Sequence, residues 1–323
     1  MPIDILNITP SVISRDLRGK YVLLYGKPKS GKTTAASQFP KSLLVAFERG
    51  YNAIGGIRAI DINKWSDFKL VLRQLEKPEA QQLYETIIID TISIAYDYCE
   101  QYICAQNGVQ KIADIAWGGG YTATKKEFET ALRKITMLGY GIVLISHSGS
   151  RVEKDAEGSE KEIIYPDMPK RASEICNGLV DIIGYIGGEY DKDGNFNRYL
   201  YTRETPTLFA GSRFKYLQPK IKFGYNELVS AINEAIDFAE KNDGATVVDK
   251  ANLVSVDEKI DFNEIRAKAA DLWSTLVNKD EENATTILKK VEIIMGHKMK
   301  LSEFTEDQAD LLALVVAEMQ DML

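Results

Sequence analysis

The eight residues Gly26-Lys27-Pro28-Lys29-Ser30-Gly31-Lys32-Thr33 follow the pattern G-x-x-x-x-G-K-[ST]. The pattern carries meaning only between a strand that ends at the first glycine and a helix that opens at the lysine. Both flanks are present. Residues 20–25 (Lys-Tyr-Val-Leu-Leu-Tyr) are a short apolar run that reads as a buried strand, and Thr33 to Phe39 reads as a helix stopped by Pro40. The two glycines let the backbone wrap a phosphate chain with its N–H groups inward, and the helix N-terminus adds its positive dipole. Lys32 is then the cation for the β- and γ-phosphates, and Thr33 offers its hydroxyl to Mg2+. Gly26, Lys29, Ser30, Gly31, Lys32, Thr33 and Thr34 make up the expected nucleotide-binding set for ATP.

A second oxygen ligand should complete the metal site. Ile87-Ile88-Ile89-Asp90-Thr91 is an apolar strand ending in a carboxylate, so Asp90 joins Thr33 as an expected Mg2+ ligand. Hydrolysis also needs a group that activates water. No acid follows Asp90, where Thr91 stands instead, and Glu48 ends the strand after the first helix, so Glu48 is the expected base. A further apolar run, residues 141–146, ends in His147, one of the chain's 2 histidines and the expected reporter of the γ-phosphate. A solvated turn glutamate and a structural histidine are the plainer readings of Glu48 and His147.

Strand-like and helix-like segments alternate through the first half: strands at 20–25, 42–47, 84–90, 141–146 and 179–186, and helices over 70–83, 95–105 and 125–138. Such alternation predicts an α/β core with a mainly parallel sheet flanked by helices. Residues 190–203 read as a hairpin turned at Asp193-Gly194, and the stretch from 147 to about 171 as a long polar loop. The expected division is a core over 1–240, a polar linker over 241–252 and a small all-α domain over 253–323. That domain has helices at 262–277, 284–295 and 305–323, the last opening with the capping-box spacing Thr305-x-x-Gln308.

Charge is divided unevenly. Residues 241–323 hold 17 Asp and Glu against 10 Lys and Arg, which leaves the remainder with 30 of each and no net charge. The acidic tail repels phosphate, whereas the neutral core does not exclude nucleic acid. Cys99, Cys104 and Cys176 have no metal-type spacing and read as buried thiols of a reducing compartment. Met1-Pro2-Ile3-Asp4 opens no signal peptide, and the longest apolar runs are strand-length, so a cytoplasmic protein is expected.

The carrying residues are now assembled: GKPKSGKT (26–33), LLVAFERG (43–50), ETIIIDT (85–91) and GIVLISHS (141–148). Over roughly residues 15–240 the chain resembles the RecA/RadA group of recombination ATPases. It resembles more closely the short phage-encoded RecA-like proteins of single-strand annealing systems. The resemblance implies a RecA-like P-loop NTPase core, a ring or filament of identical subunits, and ATP at the subunit interface. It implies single-stranded DNA as a partner, and a neighbour's cation in the active site. The segment 199–217 is similar to the strand bearing that cation, so Arg203 and Arg213 are the expected trans-acting residues, with Lys215 third. Two loops would line the DNA path. One spans about 106–122, with Trp117 and Tyr121 for stacking and Lys111, Lys125 and Lys126 nearby. The other spans about 149–172, with Arg151, Lys154, Lys170 and Arg171 diluted by Asp155, Glu157, Glu160 and Glu162. The departure is an N-terminus without a recognisable oligomerisation strand or helix. Two other readings stay open: an ATP-dependent protein switch or scaffold, whose acidic tail binds a protein partner, and a small-molecule kinase.

Overall fold

The structure, a computed structural model, describes residues 10–17, 20–154, 158, 160–250 and 261–323. Met1 to Asp4, Asp155, Glu157 and residues 251–252 of the expected linker lie outside them. In chain order the strands are β1 (Ile13–Ser14), β2 (Tyr21–Gly26), β3 (Ser42–Ala46), β4 (Ala59–Asp61), β5 (Thr86–Asp90), β6 (Gly141–Lys154), β7 (Glu160–Pro166), β8 (Ile182–Tyr190), β9 (Phe196–Tyr201), β10 (Gly211–Ser212), β11 (Lys220–Lys222) and β12 (Val247–Val248). The helices are α1 (Lys32–Ala36), α2 (Trp65–Leu75), α3 (Pro78–Leu83), α4 (Ile92–Gln106), α5 (Gly119–Met137), α6 (Lys170–Leu179), α7 (Tyr225–Asp243), α8 (Phe262–Lys279), α9 (Glu282–Met295) and α10 (Ala309–Gln320).

Strands β2, β3, β5 and the inner half of β6 are apolar on both faces, the composition of a parallel strand covered twice. They pair as expected. The main sheet has the order β11-β9-β8-β2-β6-β5-β3-β4, parallel from β8 to β4 and antiparallel at β9 and β11, with β10 and β7 added antiparallel to β8 and β6 off this path. Alternate residues feed opposite cores. Leu23, Val45, Ile87, Ile89, Ile142 and Leu144 pack with Trp65, Phe68, Tyr96, Phe128 and Leu132 from α2, α4 and α5. Val22, Leu24, Leu44, Ile88, Val143 and Ile145 pack on the other face with Ala36 of α1 and Leu228, Ile232 and Ile236 of α7. The chain is therefore an α/β protein with a mainly parallel sheet flanked by helices, as the alternation predicts.

Several expected boundaries move. The polar stretch after residue 146 is not a loop. Strand β6 continues to Lys154 and pairs antiparallel with β7, from Ser148 opposite Pro166 to Lys154 opposite Glu160. The ribbon then leads into α6, which the sequence reading missed. Helix α5 begins at Gly119, inside the expected glycine loop, and Gly120 packs so closely that a Cβ there would meet the Ile112 carbonyl at 2.7 Å. The single helix expected over 70–83 is two, divided before Pro78. Helix α7 runs to Asp243, and Val247–Val248 pair in parallel with Ile13–Ser14, so ordered core structure continues past residue 240.

The chain divides into two compact units, Ser11–Val256 and a second whose described C-terminal part covers 261–323. That part is all helical, as expected. Asp261 caps α8 by accepting from Asn263 N–H at 2.8 Å and Glu264 N–H at 3.3 Å. Leu272, Leu276, Ile287, Val291, Phe304, Leu312, Val315 and Met319 form its core. The capping box is present: Thr305 N–H donates to Gln308 Oε1 at 3.0 Å. It caps a short 3-10 turn ahead of α10.

Candidate functional site

Parallel strands all point the same way, so the chemistry gathers where they end. Register brings four of the expected groups together there. Gly26, the last residue of β2, lies opposite His147 of β6. Asp90, the last of β5, lies opposite Ile145 of β6 and Ala46 of β3. Beyond β3, the N–H groups of Phe47 and Glu48 both donate to the Asp90 carbonyl, at 2.7 and 3.0 Å, and this pins Glu48 beside the metal-ligand strand.

The phosphate loop spans the gap between β2 and α1. Lys29 and Gly31 take left-handed backbone angles, φ 62° and 94°, and a Cβ on Gly26 would meet the Ile186 carbonyl at 2.8 Å. Lys32 is only 6% exposed and its Nζ donates to the carbonyls of Gly26 and Lys27, each at 2.9 Å. Burial holds its ammonium below the usual lysine range, against the pull of Asp90 and Glu48. The Ser30 hydroxyl is buried without a hydrogen-bond partner in the same loop. A buried cation, an orphan donor and two left-handed residues are a cradle made for an anion.

Thr33 Oγ1 donates to Asp90 Oδ2 at 2.7 Å. Asp90 is 7% exposed, and burial raises its carboxyl above the usual range, partly offset by the Thr33 hydroxyl. These oxygens suit Mg2+, which binds through one or two protein ligands and completes its shell with water and substrate phosphate. No group of three or more acids, histidines or cysteines able to hold a metal occurs among the described residues. The Asp90–Thr91 peptide bond is cis.

Glu48 Oε2 and His147 Nε2 stand 3.3 Å apart, with the carboxylate 45% and the imidazole 32% exposed. The other ring nitrogen, Nδ1, is buried and has no partner. Residues 99 apart in sequence thus form a pair whose one side meets solvent and whose neighbours are Asp90 and Lys32.

The other expected groups are placed elsewhere. Arg203 donates to the carbonyls of Ser212, Phe214 and Lys215 at 2.7, 2.6 and 3.0 Å. Arg213 donates to Gly178 and Leu179 carbonyls and to Asp181 Oδ1. Asp181 also accepts from Tyr21 N–H at 3.0 Å, so Arg213 stands at the start of β2, the end away from the phosphate loop. Lys215 is bound to Asp243 at 2.8 Å. In the first expected DNA loop Trp117 is fully exposed with φ 59°, while Tyr121 is covered by Arg171, whose guanidinium lies 4.5 Å from the ring centre. In the second, Arg151 lies over Tyr165 at 5.1 Å and Lys154 pairs with Glu160 at 3.5 Å. Lys125 pairs with Glu174 at 3.0 Å. The thiols of Cys99, Cys104 and Cys176 are buried and free.

Sequence reasoning missed Arg198 and Phe223. Arg198 Nη2 reaches the Lys29 carbonyl at 3.5 Å, and the Phe223 ring lies 3.3 Å from where a Cβ on Gly31 would stand. Their signal was weak, since both come from the antiparallel margin more than 160 residues after the loop they flank.

Fold and site together define a P-loop nucleoside triphosphatase. The chain belongs to the AAA domain family, whose model matches residues 18–214. It is 29% identical over 334 residues to the SPbeta prophage-derived uncharacterized protein YorG of Bacillus subtilis (strain 168), covering 100% of this chain and 99% of that one. Among solved structures it is similar to the flagellar accessory protein FlaH from Methanocaldococcus jannaschii, with a TM-score of 0.34 and 12% identity over 64% of this chain and 85% of that one. No helix among the described residues is long and apolar enough to cross a membrane.

Proposed function

We propose that this chain hydrolyses ATP with Glu48 as the base that activates water, and that single-stranded DNA stimulates the reaction. The observation that carries the first part is the convergence of Lys32, Thr33, Asp90, Glu48 and His147 at the ends of adjacent parallel strands. Thr33 and Asp90 would hold Mg2+, which neutralises charge on the phosphates. Lys32 already points its ammonium at two loop carbonyls and turns to the β- and γ-phosphates when they enter. Glu48 takes a proton from a water attacking the γ-phosphorus, whose bond to the ADP oxygen breaks. His147 holds the Glu48 carboxylate in place through its Nε2.

The DNA part rests on exposed aromatic and basic residues of the two expected loops. Trp117 presents an exposed aromatic face, and Lys170 and Arg171 begin α6, with Arg171 lying over Tyr121; stacking surfaces and cations are what single strands use. The likeness to a prophage-derived protein agrees with a phage origin; recombination or annealing is the role proposed for it. The helical unit over 253–323 is a separate domain in this reading. Self-assembly through Arg203 or Arg213 would first require breaking the hydrogen bonds each now makes within its own chain.

Steady-state ATPase, with and without an oligodeoxynucleotide at low and physiological salt, tests both parts. Lys32→Ala is expected to lose turnover altogether, and unchanged turnover would remove the phosphate-loop assignment. Stimulation by DNA should fade as salt rises. An ATPase indifferent to DNA at both salts would instead favour the protein-switch reading.

A further inference from the structure

The helical unit is acidic in sum but not in distribution. Residues 261–323 contain 13 Asp and Glu and 7 Lys and Arg. Two adjoining depressions cross its surface, of about 520 and 550 Å³, and they share Leu288 and Lys300. Together they are lined by 4 of the 7 bases (Arg266, Lys289, Lys298 and Lys300) but by only 2 of the 13 acids, Glu292 and Glu303. None of the four cations has a carboxylate within ion-pair distance among the described residues. Lys290, one residue away and outside the groove, is paired with Glu318. Glu303 is partly spent, since its carboxylate accepts from the Lys300 N–H at 2.8 Å. Arg266 does rest over Phe262, with its guanidinium 5.9 Å from the ring centre.

Between the cations the groove is apolar. Ala269, Ala270 and Trp273 of α8, Leu288 of α9 and Leu301 supply its apolar lining. Leu288 is 39% exposed, an unusual place for a leucine that faces a depression rather than open solvent. Each depression falls in the range of roughly 300–1,000 Å³ that holds small ligands or anchoring side chains.

We infer that this groove docks an acidic amphipathic peptide segment of a partner protein, seating its apolar side chains on Trp273 and Leu288 and its carboxylates against Arg266, Lys298 and Lys300. Charge complementarity selects that occupant. Unpaired cations collected around an apolar lining fit a segment that alternates acids with leucine or aromatic residues. A nucleic acid fits less well, because it would bring a long run of phosphates into the field of a domain with a net excess of acids and would leave the apolar lining unused. A basic partner would meet like charge at four of the six charged lining positions. The inference is independent of ATP hydrolysis, because no groove residue belongs to the phosphate site.

The test uses the full-length protein and fluorescence anisotropy. The probe is a short fluorescein-labelled helical peptide with leucine at i, i+3, i+4 and i+7 and glutamate elsewhere, beside a twin in which lysine replaces glutamate. The acidic peptide should bind at least about tenfold more tightly than its twin. Arg266→Glu with Lys300→Glu should reverse that preference, while circular dichroism and ATPase stay unchanged. Leu288→Asp, at a partly exposed position, should weaken the acidic peptide without touching the cations. Absence of acidic-peptide binding, equal binding of the twins, or indifference to the charge reversal would each overturn the inference. So would a labelled oligothymidylate that binds and is lost on charge reversal, which would make the groove a nucleic-acid surface.

Discussion

Replacing Glu48 by Gln removes a proton acceptor while keeping shape and hydrogen-bonding reach. The side chain is about half solvent-exposed, it touches His147 at 3.3 Å, and its backbone rather than its carboxylate holds the strand end to Asp90. Folding and ATP binding should therefore be nearly unchanged. A positioned general base contributes on the order of 10²–10⁴ in rate. At 1.36 kcal/mol per decade that is a barrier rise of about 3–5 kcal/mol. Single-turnover phosphate release should fall by that factor, with the dissociation constant for a fluorescent ATP analogue within about twofold of wild type. If His147 acts through Glu48, His147→Ala alone should cost roughly tenfold, and the double variant should be no slower than Glu48→Gln. A fall of less than about tenfold for Glu48→Gln with binding intact would refute the assignment of the base. Additive losses in the double variant would refute the coupling and leave the histidine with a separate contact.

Burial raises the Asp90 carboxyl, so the folded chain holds that proton more tightly than the unfolded one. The stability it contributes is full below the ordinary carboxylate range and is lost as pH rises through the folded value. At neutral pH, Asp90→Asn should thus raise the Tm of the nucleotide-free protein, by roughly 2–4 °C for each kcal/mol gained. It should also abolish Mg2+-dependent turnover; a lower Tm at neutral pH would contradict the sign. Gly26→Ala should cost about 1–3 kcal/mol in urea unfolding, because the new methyl meets the Ile186 carbonyl at 2.8 Å. Leu276→Ala, at a fully buried position of the helical unit, should destabilise that unit by about 2–5 kcal/mol while ATP hydrolysis persists. Calorimetry with a parallel ATPase assay checks both halves of that statement.

The legible parts of the sequence were those whose signal is local. The phosphate loop, Asp90 and Glu48 each sit where an apolar run stops, and parallel strands carry such ends to one side of the sheet without further information. The Glu48–His147 pair was not legible as a pair, since it depends on strand order and register between distant segments. The β6–β7 ribbon hid because Arg151-Val152-Glu153-Lys154 and Glu160-Lys161-Glu162 are polar on both faces, and no one-sided apolar alternation marks them as strands. Helix α7 did carry a signal, the buried set Leu228, Ala231, Ile232, Ala235 and Ile236 at helical spacing. Arg203 and Arg213 looked available because sequence shows a cation but not the carbonyls that have already claimed it.

The margins of the main sheet have a consequence for how copies of this protein can meet. One margin is β4, three residues long; the other is β11, Lys220-Ile221-Lys222, whose first lysine is tied to Glu189 at 2.5 Å. Strands this short, one of them fenced by lysines, give a foreign backbone too few free amides to zip onto. The strand path from β11 to β4 therefore ends in margins that offer little for pairing. Growth into fibrils by strand addition is discouraged at both of those margins.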